Sequence, residues 1–417
     1  MSQETSDSPP KPKRLLSLDV YRGLIMITLA FNGFGLARTA SLHLQDNPDS
    51  WFWSFIRFHT THVEWLGCSY WDLIQPSFMF MVGLSMAYSY VKRQRMGHSY
   101  QRMLGHAFVR SLILIFLGIF LTSSGPLTRW WMTNVLTQMG LGYTFLFFLW
   151  GRGLKFQSIS AGAILVFTWL IFVLYPGSGI DFEKGAPELN VSPEWAQEHL
   201  NGVGDSWHKN ANAAHAFDTW FLNIMPERAP FTGDGSDQIR QPFVANPGGY
   251  QTLNFLPSLA TMLFGLMVGE LLRSKRSGLD KSKIILIAGI GGIVVGWLLE
   301  VTGICPMVKR IWTPSWTLFS NGCCCLILVA LYWVIDVKKV QNWTFPFIVV
   351  GMNSIAIYCM GMLLRPWVAS RLEIHLGDHL FLIGGSELAP FFQATFTGIC
   401  LWVICWWMYR QKFFVKI

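Results

Sequence analysis

Long apolar runs alternate with short polar, charge-bearing connections along almost the whole chain. Ten runs are each close to twenty residues, enough for a helix to cross a hydrocarbon core of roughly 30 Å. They are Leu18–Ala37, Asp72–Val91, Ala107–Ser123, Met132–Trp150, Ser158–Tyr175, Thr252–Arg273, Lys283–Val301, Ile311–Ile335, Pro346–Leu364 and Leu388–Tyr409. The pattern predicts an all-α, polytopic membrane protein of about ten transmembrane helices. Two connections are long, about Arg38–Trp71 and Pro176–Gln251. The first holds Trp51, Trp53, Trp65 and Trp71, a density that suits the headgroup level. In the second, Ser192 before Pro193 reads as a helix N-cap with Pro at the first helical position, and residues 211–223 read as another helix. Residues 1–13, rich in Ser, Pro and Lys, read as a disordered cytoplasmic tail, and residues 14–417 as one transmembrane domain with 176–251 as its long extracytoplasmic loop. The first run leads straight to a second span, so it reads as a helix and not as a cleaved signal. No internal repeat of the transporter kind is visible.

Composition agrees with the pattern. The chain is 52% hydrophobic and 13% charged, where soluble domains carry roughly 25% charged residues, and its mean hydropathy is +0.37. Placing the amino terminus inside puts nineteen Lys and Arg on the inner side and seven in the short outer connections. That bias predicts an inner (cell) membrane protein with both termini cytoplasmic and His62 outside. The net charge of +8 comes mostly from this bias and implies no nucleic-acid partner. The eight cysteines fit no metal pattern. Cys323, Cys324, Cys325, Cys359, Cys400 and Cys405 lie within spans as small apolar residues. A bridge between Cys68 and Cys305 is open, as is a homodimer.

The candidate chemistry concentrates in the stretch from His62 to Pro76. Ionisable groups at a membrane boundary are costly, so they mark function by default. A neutral imidazole can take a proton from an attacking amine or hydroxyl, or itself attack a thioester; the plain alternative is a histidine hydrogen-bonded into its loop. Asp72 can cap the second span or orient His62. Glu64 reads as a solvated acid or a substrate contact, Trp65 as a belt residue or a sugar-stacking face. Gln75 lies almost one helical turn beyond Asp72. His59 shares a helical face with His62 at three-residue spacing. Arg22, three residues after Asp19, makes a helix-entry ion pair or holds a phosphate. Asn134, Gln138, Asn254, Asn321 and Asn353 lie within or near spans, where amides join helices or line a polar cavity. Gly289–Gly296 reads as close helix packing.

Four segments occur in a shared order: Asp19-Val20-Tyr21-Arg22-Gly23; His62-x-x-Trp65-x-Gly67 with Asp72-Leu73 and Pro76; Gly351-Met352-Asn353-Ser354-Ile355 with Tyr358; and the ending from Tyr409 to Ile417. Together they resemble the heparan-α-glucosaminide N-acetyltransferase family over nearly the whole chain from Arg14. The resemblance implies a transmembrane enzyme that moves an acetyl group from cytoplasmic acetyl-CoA to an extracytoplasmic amino sugar or glycan. His62 matches the family's histidine implicated in acetyl transfer, with Asp72 as its partner. On this reading Glu64, Trp65, Gln75, Asn32, Asn254 and Asn353 meet the acceptor, and Arg22, Asn134 and Gln138 meet acetyl-CoA. No metal is implied. The chain departs from the family in three ways. The large amino-terminal lumenal domain of the lysosomal enzyme is not expected here. Asn32 stands ten residues after Arg22 where many relatives have asparagine at eleven. Asn246-Pro247-Gly248-Gly249 replaces a frequent Asp-Pro-Glu-Gly. The rival reading is a non-enzymatic transporter of a sugar or small anion.

Overall fold

The computed structural model describes residues 15–123, 128–225 and 242–415, with only the backbone at Glu183. The tail read at 1–13 lies outside the described residues. Those residues form α-helices and no strand; isolated bridges join Leu66 to Val308 and Ala186 to Val191.

Helix α1 (Leu16–Ala30) ends earlier than the run Leu18–Ala37 predicts. Asn32, Gly33, Phe34 and Gly35 have φ of 51°, 58°, 55° and 66°, a left-handed turn, and α2 (Leu36–Asp46) leaves it as part of a pair bent by 47°. Hydropathy does not register this break, because Gly33, Phe34 and Gly35 count as apolar. The first long connection is itself helical: α2 is followed by α3 (Trp51–Thr60), capped by Ser50. The chain then forms α4 (Ile74–Arg95), α5 (Tyr100–Thr122), α6 (Val135–Leu149) and α7 (Leu154–Val173). Two short helices follow. α8 (Pro193–His199) is capped by Ser192, as the Ser-Pro pair predicts, and α9 (Ala213–Ile224) is capped by Asn212. The rest comprises α10 (Phe255–Arg273), α11 (Gly278–Val301), α12 (Pro314–Tyr332), α13 (Phe345–Gly351), α14 (Ser354–Leu363), α15 (Arg365–Leu376) and α16 (Ala389–Arg410).

Six helical segments are long and apolar enough to cross a membrane, or up to eight if each of two bent pairs counts as one span. By this criterion six to eight of the ten runs read from the sequence are matched. The run Met132–Trp150 contains only fifteen helical residues, because Asn134 caps α6. The run Pro346–Leu364 bends by 80° between α13 and α14. The run from Asp72 becomes α4, which carries Gln75, Ser77, Ser85 and Ser89 and a basic last turn. It tolerates them because other helices surround it. A Cβ on Gly83 would strike the Met262 carbonyl, and one on Gly265 the Phe80 carbonyl. These small residues let α4 and α10 touch backbone to backbone. Gly23 and Gly351 do the same for α1 and α13. Large apolar side chains on the outside of α5, α7, α11 and α16, among them Phe116, Phe167, Ile287 and Trp407, remain exposed. In a bilayer that surface faces lipid.

The segment after α7 has its own core. Phe182, Leu189, Val191 and Trp207 pack with Phe172, Trp65, Val308 and Ile311. This cap covers the end of the bundle where α4 begins. Cys68 and Cys305 are both free, and Cys305 is buried beside Ser315, whose hydroxyl lies 3.6 Å from its sulfur.

Candidate functional site

The loop between α3 and α4 closes on the carboxylate of Asp72. Asp72 sits in the 3-10 turn Trp71–Leu73 with no exposure. Its Oδ2 accepts from the backbone N–H of Val63 (3.2 Å) and Ser69 (3.1 Å) and lies 2.9 Å from the Ser69 hydroxyl. Asp72 therefore organises its own loop more than it caps α4. Oδ1 is 2.7 Å from Nδ1 of His62. A carboxylate at that distance accepts a hydrogen bond from Nδ1–H, and in that tautomer Nε2 keeps its lone pair.

Lys309, from the connection between α11 and α12, completes the cluster. Its Nζ lies 3.3 Å from Asp72 Oδ1 and 3.0 Å from His62 Nδ1. Lys309 is 3% exposed and Asp72 0%, whereas the His62 side chain is 39% exposed. The charged pair is thus hidden behind an imidazole that reaches solvent. Burial lowers the His62 pKa from its ordinary value; the Lys309 and Arg310 charges push the same way, and the bond to Asp72 opposes them. His62 is accordingly neutral at pH 7.

Arg310 ties the surrounding loops together. It donates to the carbonyls of Gly248 (2.8 Å) and Val63 (3.2 Å) and meets Glu64 Oε2 at 3.5 Å. Glu64 also accepts from the Trp195 indole at 3.4 Å, and Tyr250 places its hydroxyl 3.5 Å from Lys309 Nζ. In the sequence Lys309 and Arg310 are two of the seven cations in the short outer connections. Their signal was two adjacent cations set between apolar Met307-Val308 and Ile311-Trp312.

The other residues read from sequence divide by location. Trp65 is fully buried, edge-on to Trp195 at 6.0 Å, so it has no face for a sugar; it anchors the cap's core. Gln75 is half-buried in the first turn of α4. Asn254 is buried and donates to the Arg310 carbonyl at 2.8 Å, behind the cluster. Asn32 is exposed in the left-handed turn and accepts from Arg365 at 3.2 Å. His59 accepts from the Tyr70 N–H at 3.3 Å, a loop role. Asn353 is not at this end of the bundle. It lies between α13 and α14, donates to the Phe413 carbonyl (3.2 Å) and accepts from the Val415 N–H (3.1 Å).

Toward that opposite end is a cavity of about 530 Å³ lined by Arg22, Arg93 and Arg110, with Asp19 as the one carboxylate in its lining. Arg22 pairs with Asp19 at 3.6 Å and donates to the Ser85 hydroxyl. Gly351, Ser354, Phe414 and Val415 also line it, so with Asp19 and Arg22 three of the four ordered segments meet there. Asn134 and Gln138 do not line it. Asn134 caps α6 and donates to the Tyr358 hydroxyl at 3.1 Å. Gln138 is buried and reaches the carbonyls of Met132, Gln251 and Thr252. Both amides join segments and leave the arginines to face the cavity. No group of three or more metal-ligating side chains occurs among the described residues.

The chain is similar to heparan-alpha-glucosaminide N-acetyltransferase of Homo sapiens, 26% identical over 97% of this chain. It is 24% identical to the Mus musculus protein of the same name over the same share. It spans about 60% of the length of each. No protein-family model matches. The likeness supports a family-level relationship to these N-acetyltransferases.

Proposed function

We propose that this chain is a transmembrane acetyltransferase that takes its acetyl group from cytoplasmic acetyl-CoA and passes it to an extracytoplasmic amino sugar or glycan. The observation that carries the reading is the buried Asp72 bonded to Nδ1 of His62, whose side chain stays partly open to solvent. In direct transfer, Nε2 takes the proton of the acceptor amine or hydroxyl as that group attacks the thioester carbonyl. The C–S bond breaks, and the proton passes to the departing thiolate. In a two-step route, Nε2 itself attacks the carbonyl carbon, coenzyme A leaves as thiolate, and the acceptor then displaces the imidazole from the acetyl group and gives up its proton to water. Asp72 steadies the imidazolium in either route, and Lys309 keeps Asp72 ionised.

The arginine-lined cavity suits the donor. Guanidinium groups match phosphate geometry, and three arginines outweigh the single Asp19. Along α4 the lining runs from Arg93 to Phe78, about 22 Å at 1.5 Å per residue, and about 9 Å more reaches the level of Asp72. An extended pantetheine arm held by its phosphates at the basic end would point toward His62. Only the acetyl unit then crosses.

His62→Ala should cut acetyl transfer to glucosamine by about 10²–10⁴, the range of a lost general base, while acetyl-CoA binding measured by calorimetry persists. Full transfer without His62 would remove it from the mechanism. A transporter would instead move sugar across proteoliposomes with no release of free coenzyme A. Quenching a single turnover and testing for acetyl-histidine separates the two routes.

A further inference from the structure

A second polar cavity, of about 380 Å³, lies between the left-handed turn after α1, helix α15 and the start of α16; Asn32, Arg38, Arg365, Glu373, Gln393 and Thr397 are among its lining. It is at the same end of the bundle as His62. Gly33 in that turn lies against the Trp71 ring, where a Cβ would come within 3.0 Å, and the ring of Trp71 is 6.3 Å from that of His62. The cavity and the imidazole therefore flank the Gly33–Trp71 contact.

Three features mark it as a ligand site. Arg365 is half-buried, and among the described residues it donates to the neutral Asn32 amide at 3.2 Å and pairs with no carboxylate. Thr397 is buried, and its hydroxyl has no hydrogen-bond partner among the described residues. Asn32 keeps a left-handed backbone that favours glycine, a strain of the kind that collects at binding sites. Two arginines attract an anion, and Glu373, Gln393 and Thr397 offer acceptors and donors to sugar hydroxyls. A lipid acyl chain would find little use for those groups.

We propose that this cavity is an anion subsite selecting acceptor sugars that carry a carboxylate or sulfate near the group to be acetylated. The inference rests on the acetyl-transfer reading of His62. The test uses the full chain in nanodiscs with acetyl-CoA and two acceptors, glucosamine and muramic acid, a glucosamine bearing a lactyl carboxylate. Muramic acid should have the higher kcat/KM by about tenfold, the scale of one charge-assisted hydrogen bond. Arg365→Gln should raise KM for muramic acid far more than for glucosamine, and Arg365→Lys should keep part of the preference. Equal kcat/KM for the two sugars, or equal losses in Arg365→Gln, overturns the subsite and leaves the acetyl-transfer reading intact. Should neither sugar accept acetyl, that reading fails, and equilibrium binding of the two sugars decides the subsite. A preference for muramic acid that Arg365→Gln removes supports it; indifference overturns it. Loss of a copurifying anionic lipid in Arg365→Gln with an unaltered sugar preference also overturns it, because the cavity is then a headgroup site.

Discussion

At His62 the Nδ1–H has a buried carboxylate to donate to while the side chain stays partly exposed, so Asp72 sets which nitrogen reacts. Neutral His62 is the working form, and its pKa lies below the ordinary value. Activity should therefore rise as pH climbs through that lowered pKa and stay flat above it. Lys309→Met removes a charge that pushes the pKa down, so the acid limb of kcat/KM, followed from about pH 5 to 8, should move to higher pH. The variant should also melt earlier, because it breaks a buried ion pair. Asp72→Asn removes the group that raises the pKa and lets an amide bind the wrong tautomer. Its limb should move to lower pH with a rate loss of about 10²–10⁴. Unmoved limbs in both variants would detach Asp72 and Lys309 from the imidazole's chemistry.

At the scale of elements, breaks in helices do more to build the sites than the helices themselves. The 80° bend between α13 and α14 frees Asn353 to hold the Phe413 carbonyl and the Val415 N–H. That clamp folds the last described residues back so that Phe414 and Val415 close one wall of the arginine-lined cavity. Asn353→Ala removes two side chain to backbone hydrogen bonds, a weakening of about 1–3 kcal/mol. KM for acetyl-CoA should rise while KM for the acceptor holds. A matched rise in both would mean that the clamp supports the whole bundle and not the donor side. The left-handed turn at Asn32–Gly35 works in the same way at the other end, where it sets Gly33 against Trp71 and Gly35 against the Pro390 backbone.

For the whole molecule, the two clusters sit toward opposite ends of one bundle, which suits a donor and an acceptor kept on different sides of a membrane. Exposed positions test that arrangement. A cysteine at Glu194, on the cap, should react with an impermeant thiol reagent added to intact cells, and one at Arg95, at the far end of α4, should be protected until the membrane is opened. Both side chains are exposed in the fold, so burial does not confuse the result. Cys68 is a poor reporter because burial pushes its thiol pKa far up. Labelling of Arg95→Cys alone in intact cells would invert the orientation and put His62 in the cytoplasm.

The all-α class and much of the candidate chemistry were legible in the chain. Apolar runs and caps such as Ser192 are local, and each depends on a few neighbouring residues. His62 and Asp72 are ten residues apart, close enough for one loop to join them. What the chain did not disclose was set by distant partners. Lys309 reaches His62 across 247 positions, and Asn353 meets Val415 across 62. Trp65 reads as a belt residue until the cap folds over it. Asn134 and Gln138 look like cavity amides until their carbonyl and hydroxyl partners are in place. An amide or a charge has the same local sequence signature whether it lines a site or holds two segments together. The difference is the identity of the group it meets, and that was decided only by the packing of helices far apart in the chain.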